Sequence, residues 1–285
     1  MSAHNKSYHE PLALVIISSI SLGLGALAAL FILIDIILRR GWRSMMAIMI
    51  PVYIINALYL WPLTLWTYLN YGRPKKPAVN PKTKSLIPPP PPPPPPPHDS
   101  DESSLPPPKE SQEAPQPTSS CCHHAPLTEK PPRPLFATIT VAVCHCGAGC
   151  VLGDLIGEWL VYSTQHARMH NAEKMMLYLS FPIDFAFAIF IGIIFQYYSI
   201  APMSGEYGWK TVWRAAQADF LSLVFFEMGL FAWMAVFQIA LFEGRLGMDT
   251  VTYWWMMQVG MVCGHWTGVP INWWLIRTGV KEPCA

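Results

Sequence analysis

The run LFATITVAVCHCGAGCVLGDLIGEWLVY at residues 135–162 decides the fold. As an α-helix it is about 40 Å long, enough to cross roughly 30 Å of hydrocarbon. Within it Cys146, Cys150, Asp154 and Glu158 recur at every fourth position. A step of four residues advances about 40° around a helix, so these side chains lie along one slowly winding ridge. Gly149, Gly153 and Gly157 form a second four-step series on the adjoining face, and residues that small let another helix come close. An ionisable group at bilayer depth is costly and is usually turned toward protein or enclosed water. The ridge is therefore expected to face other helices. The fold class that follows is all-α, a polytopic membrane helical bundle.

Composition agrees. Apolar residues make up 52% of the chain and charged ones 13%, with 12 Trp and 14 Met, which is a membrane rather than a soluble profile. A net charge of +1 leaves no basic surplus for a phosphate backbone, so nucleic-acid binding is set aside. The 7 Cys are odd in number and mostly lie in apolar runs or as neighbours, so free thiols are expected rather than a secreted disulfide framework. The first apolar run is too long for a signal-peptide core and reads as a retained anchor.

Working outward, about six transmembrane helices are expected, at residues 12–38, 45–69, 135–162, 174–200, 211–242 and 251–276. Residues 1–70 read as an N-terminal hairpin, with Arg39, Arg40 and Arg43 ending its first helix, and Trp61, Trp66, Tyr68 and Tyr71 marking the interface on its second. Residues 71–134 carry an unbroken proline run from Pro88 to Pro97 and read as a disordered, proline-rich linker. That run is a plain spacer or a docking site for SH3- or WW-type domains. Cys121, Cys122, His123 and His124 within it suit metal recruitment or lipidation, with an inert tail as the competing reading. Lys and Arg are twice as numerous on the side shared by both termini, the linker and the connection at 201–210, which makes that side cytosolic. The three arginines after the first helix run against that count.

Position along each helix gives depth. Cys146, Cys150, Asp184, Glu227, Cys263 and His265 are all expected near the midplane, with Asp154 and Glu158 toward the outer face and Asp219 toward the inner. Together they sketch a polar line across the bilayer. The bland readings are small-residue packing for the cysteines, snorkelling for Glu158 and Asp219, and core filling for Met228, Met256, Met257 and Met261.

Three strings, CHCGAGCVLGD at 144–154, YLSFPIDFAFAIFIGIIFQYY at 178–198 and PINWWLIRTGVKE at 270–282, resemble an uncharacterised family of four-helix integral membrane domains, domain of unknown function 4396. The resemblance covers about residues 135–282, implies that the last four helices form one domain, and brings no activity with it. His265 departs from the family pattern, which has an aromatic residue there.

Three functions stay open. A copper or zinc site or pathway would use Cys146 and Cys150 as soft ligands, His145, Asp184 or Glu227 to complete the shell, and Asp154 and Glu158 as an exit. A proton- or ion-coupled carrier would use Asp154, Asp184 and Glu227 as its relay. A non-catalytic scaffold would only hold a bundle together and recruit a partner through the linker. The absence of a nucleophile motif, phosphate loop or cofactor fingerprint argues against an enzyme, although Cys146 and Cys150 stand near disulfide reach.

Overall fold

A computed structural model describes residues 10–41, 45–73, 134–166 and 173–281. The proline run, its docking role and the Cys121–His124 quartet lie outside the described residues. Among the described residues every element is helical. They are α1 (Leu12–Ile34, extended by a wider turn over Asp35–Arg40), α2 (Met49–Tyr59), α3 (Trp61–Thr67, extended over Tyr68–Gly72), α4 (Leu135–His166), α5 (Glu173–Ser204), α6 (Trp209–Ala235, extended over Val236–Leu241) and α7 (Val251–Arg277).

Four stretches, Leu12–Arg39, Leu135–Thr164, Ser180–Ser204 and Trp209–Leu241, are long and apolar enough to cross a membrane. α7 is 27 residues long but falls outside that group, because Trp, Tyr, Gln, His and Asn dilute its apolar residues. The bundle has a hydrophobic core, but its outer surface is apolar too and ionisable groups are buried inside. Ile17, Ile20, Leu27 and Leu30 of α1 face outward, while Asp35, His145, Asp154, Asp184, Asp219, Glu227 and Lys281 are buried. That distribution marks a surface solvated by lipid.

The segment expected to be the second crossing, 45–69, is not one continuous helix. A continuous helix would put Tyr53 and Gly72 about 28 Å apart. Instead the Tyr53 hydroxyl reaches the Gly72 backbone, and the Tyr53 and Tyr68 rings lie edge to face with centroids 5.3 Å apart. The chain reverses at Leu60 (φ −117°, ψ 40°), so α2 and α3 form a re-entrant hairpin. Pro62 explains the break and what holds the tip. It has no N–H for the Leu58 carbonyl. That carbonyl accepts from Gln258 Nε2 of α7 at 2.7 Å, and Gln258 Oε1 accepts from Ser21 of α1 at 2.6 Å. Gly25 of α1 touches the same carbonyl, and any side chain there would push the tip away.

The mouth of the hairpin is closed by a charge missed in the sequence. Asp35 is buried and accepts from Arg73 at 2.9 and 2.7 Å and from Tyr68 at 2.9 Å. Tyr68 is thus an interior residue rather than an interfacial one. The other face of the hairpin docks on α4: Asn56 Nδ2 donates to the Cys144 carbonyl at 2.6 Å, and the Tyr59 hydroxyl lies over Gly147.

The glycine series on α4 meets α5. Added Cβ atoms at Gly149, Gly153 and Gly157 would strike Gly192, Ala188 and Asp184 respectively. Each step of four up one helix is a step of four down the other, so the two run antiparallel in close contact. Gly260 and Gly264 of α7 give α6 the same approach, against Leu230 and Phe226.

Helix ends sort into two groups. Thr252, at the start of α7, bonds Glu10 ahead of α1, and Trp254 stacks on Trp159 near the end of α4. At the opposite end Arg73 meets Asp35, Trp66 packs on Phe136, and Lys281 reaches Ala142 and Asp219. The start of α1 is therefore at the other end of the bundle from the C-terminal Lys281 and from both edges of the linker. This departs from the expectation that both termini share a side with the linker, and the cause is the hairpin that enters and returns at one end.

Candidate functional site

The ridge on α4 serves two different polar centres. At Cys146 the surroundings form a closed ring. Lys281 Nζ donates to Asp219 Oδ1 at 2.6 Å and to Asn272 Oδ1 at 2.9 Å. Asn272 Nδ2 donates to Ser222 Oγ at 2.5 Å, Ser222 Oγ is 2.8 Å from Cys146 Sγ, and the thiol donates back to Asp219 Oδ1 at 2.8 Å. Lys281 also donates to Cys146 Sγ at 3.0 Å and lies 3.4 Å from the Ala142 carbonyl. Both partners of the ion pair have side chains that are 0% exposed. Among the described residues the ring pairs one cation with one anion, and this is the form in which buried charge is tolerated.

Lys281 gets there through the last turn of the chain. Thr278 caps α7, Gly279 adopts φ +73°, and the Lys281 backbone N–H bonds the Leu275 carbonyl at 3.1 Å. The left-handed glycine turns the segment after α7 inward, a conformation costly for any other residue.

One to three turns further along α4 the pattern is reversed. Asp154 and Glu158 of α4, Asp184 of α5 and Glu227 of α6 are buried side by side, Asp154 being within electrostatic reach of the other three. Cys150 faces Glu227, and Tyr253 of α7 stands beside Glu158. Neither oxygen of Asp154, Asp184 or Glu227 has a hydrogen-bond partner, nor does Glu158 Oε1. Among the described residues no ion pair involves any of the four. Four carboxylates cannot all be ionised in such a place without a cation.

The seven residues proposed as metal ligands are thus divided. Cys150, Asp154, Glu158, Asp184 and Glu227 share one centre; Cys146 belongs to the other and faces an ammonium group. His145 is buried edge-on to Phe195, within electrostatic reach of Asp219 and Lys281, with both ring nitrogens unpartnered. Among the described residues no group of three or more His, Cys, Asp or Glu is arranged to hold a metal ion. Cys144, Cys146, Cys150 and Cys263 are free thiols. Cys263 and His265 join neither centre, and neither ring nitrogen of His265 has a hydrogen-bond partner. Asp184 sits against Gly157, about two turns along α4 from Cys150, because the α4–α5 register places it there. Asp219 does not snorkel; it is the anion of the ring.

Lys281, Ser222 and Tyr253 carry weight that their positions in the sequence conceal. Lys281 lies beyond α7 and counts there only as a flanking charge. The available signal was its distance from Arg277, one turn, on a chain that a glycine can fold back.

The fold and these centres define an all-α protein with four helices long and apolar enough to cross a membrane, whose four C-terminal helices enclose a line of buried polar groups. Residues 135–281 match the family described as Domain of unknown function (DUF4396), and the chain belongs to that family. Both centres fall wholly within the match. No curated protein and no solved structure matches the chain.

Proposed function

We propose that the domain at 135–281 moves protons across the membrane, either alone or coupled to a solute, with Asp154, Glu158, Asp184 and Glu227 as the relay. One observation carries this reading: the carboxylates converge from three helices, buried, with no ion pair to any of them among the described residues and no hydrogen bond to either oxygen of Asp154 or Asp184. Such groups carry protons, and intramembrane carboxylates that gain and lose protons are the working parts of pumps and transporters. Cys150 and Cys146, one turn apart, lead from Glu227 toward Asp219 and Lys281, which extends the line to the other half of the bundle. The divided donors weaken the copper or zinc reading, since Cys146 is committed to the ring.

The sidedness follows from the re-entrant hairpin. With α2 and α3 returning to the side they left, Arg39, Arg40 and Arg43 join the linker and Lys281 on one side. Of the 19 Lys and Arg, only Lys6, Arg168, Lys174 and Arg245 fall opposite, Lys109 being too deep in the linker to count. The arginines that contradicted the six-crossing topology now support the orientation, with the linker cytosolic and the carboxylates toward the far side.

The test is flux in proteoliposomes with a trapped pH dye under an imposed proton gradient. Wild type is expected to dissipate the gradient, and Asp154→Asn and Glu227→Gln to stop it. Equal leak in wild type, both variants and empty vesicles would leave only the scaffold. Protease sites placed ahead of α1 and in the linker check the topology, and cleavage of both from the same side would overturn it.

A further inference from the structure

We infer that the pocket around Lys281 Nζ is a site for a small monovalent cation, of the ammonium class, and that Lys281 is its tethered competitor. The inference deepens the translocation reading and rests on it for its purpose. The pocket itself stands on geometry. Four acceptors surround the ammonium nitrogen from three helices: Asp219 Oδ1 of α6 at 2.6 Å, Asn272 Oδ1 of α7 at 2.9 Å, and Cys146 Sγ and the Ala142 carbonyl of α4 at 3.0 and 3.4 Å. An ammonium has three protons, so this shell has more acceptors than the group has donors. A cage of that kind suits a compact positive charge from any source. Asp219 Oδ2, fully buried and without a hydrogen-bond partner, adds a further acceptor that the lysine leaves unused.

The lysine arrives on a removable arm. It is held by the turn at Gly279, through the Val280 and Lys281 N–H groups on the Leu275 carbonyl, and nothing lies within 4 Å of a Cβ built on Gly279. Unfolding that one turn withdraws the cation and leaves Asp219, Asn272 and Cys146 as an anionic pocket at the end of the polar line. A free cation bound there replaces the charge of Lys281, and its release lets the arm return. The lysine then acts as a gate that keeps the pocket neutral between cycles.

The experiment measures saturable binding of radiolabelled methylammonium to the full-length protein in nanodiscs. Lys281→Ala is expected to bind it, and wild type to bind about tenfold or more weakly, because the arm occupies the site for most of the time. The Asp219→Asn, Lys281→Ala double variant is expected to bind none. Asp154→Asn should leave binding unchanged, so failure of the proton relay and failure of this site can be told apart. A Lys281→Ala protein that melts cooperatively yet binds no methylammonium overturns the proposal. If Lys281→Ala folds only when methylammonium is supplied during purification, the pocket has accepted a free cation and the proposal stands. If that variant is restored by the second change at Asp219 and not by methylammonium, the pair is a structural ion pair and the proposal falls.

Discussion

The two polar centres on α4 start one turn apart and sit among the same helices, yet they treat charge in opposite ways. Around Cys146 an ion pair and a chain of hydrogen bonds join Lys281, Asp219, Asn272 and Ser222. Around Asp154 four acids face one another with no cation among the described residues and few hydrogen bonds. Neutral, satisfied rings hold helices together, whereas unsatisfied acids destabilise the fold and persist where something must bind and leave. On the proposed function, the first centre holds and gates, and the second carries protons.

Removing one partner should break that contrast most strongly. Lys281→Ala leaves Asp219 as a buried lone anion, and in a denaturant or thermal melt it should lose about 3–5 kcal/mol. The double change Asp219→Asn, Lys281→Met should recover most of that loss, since the neutral pair needs no partner. A single variant no worse than the double would mean that the ring contributes little.

Next in size is Gly153→Leu, which forces α4 from Ala188 of α5 and moves Asp184 away from Asp154. Overpacking of this kind costs about 1–3 kcal/mol. Flux should fall with it while the Lys281 ring, built from α4, α6 and α7, survives. Ser222→Ala opens the ring at one link and should cost about 1 kcal/mol, with flux retained.

The smallest effect on stability is expected in the acid cluster itself. Asp154→Asn removes an ionisable group that has no partner, so its melting point should equal or exceed that of wild type, although it abolishes flux. A large destabilisation there would make the cluster a structural network like the first and erase the difference between the two.

The helical periodicity of residues 135–162 and the glycine ridge made the bundle legible, because a single helix states its own faces. Asp154, Glu158 and Cys150 were legible as a set for the same reason. What could not be read depended on register between helices. Asp184 looked level with Cys150 by counting along its own helix, but the Gly153–Ala188 contact sets it against Gly157. The hairpin was hidden because 45–69 has the length and apolarity of a crossing, and only Pro62 hinted that the Leu58 carbonyl would need Gln258. Lys281 was hidden because it reaches its site from outside the helix, through one glycine turn.

The central claim is that the acid cluster holds exchangeable protons and the Lys281 ring does not. Infrared spectroscopy of the reconstituted protein at neutral pH tests it directly, because the C=O stretch of a protonated carboxylic acid is resolved from that of a carboxylate. A protonated band should be present in wild type, weakened in Asp154→Asn, Asp184→Asn and Glu227→Gln, and unchanged in the Asp219→Asn, Lys281→Met double variant. No such band in wild type, or a band lost only when Asp219 and Lys281 are changed, would contradict the account.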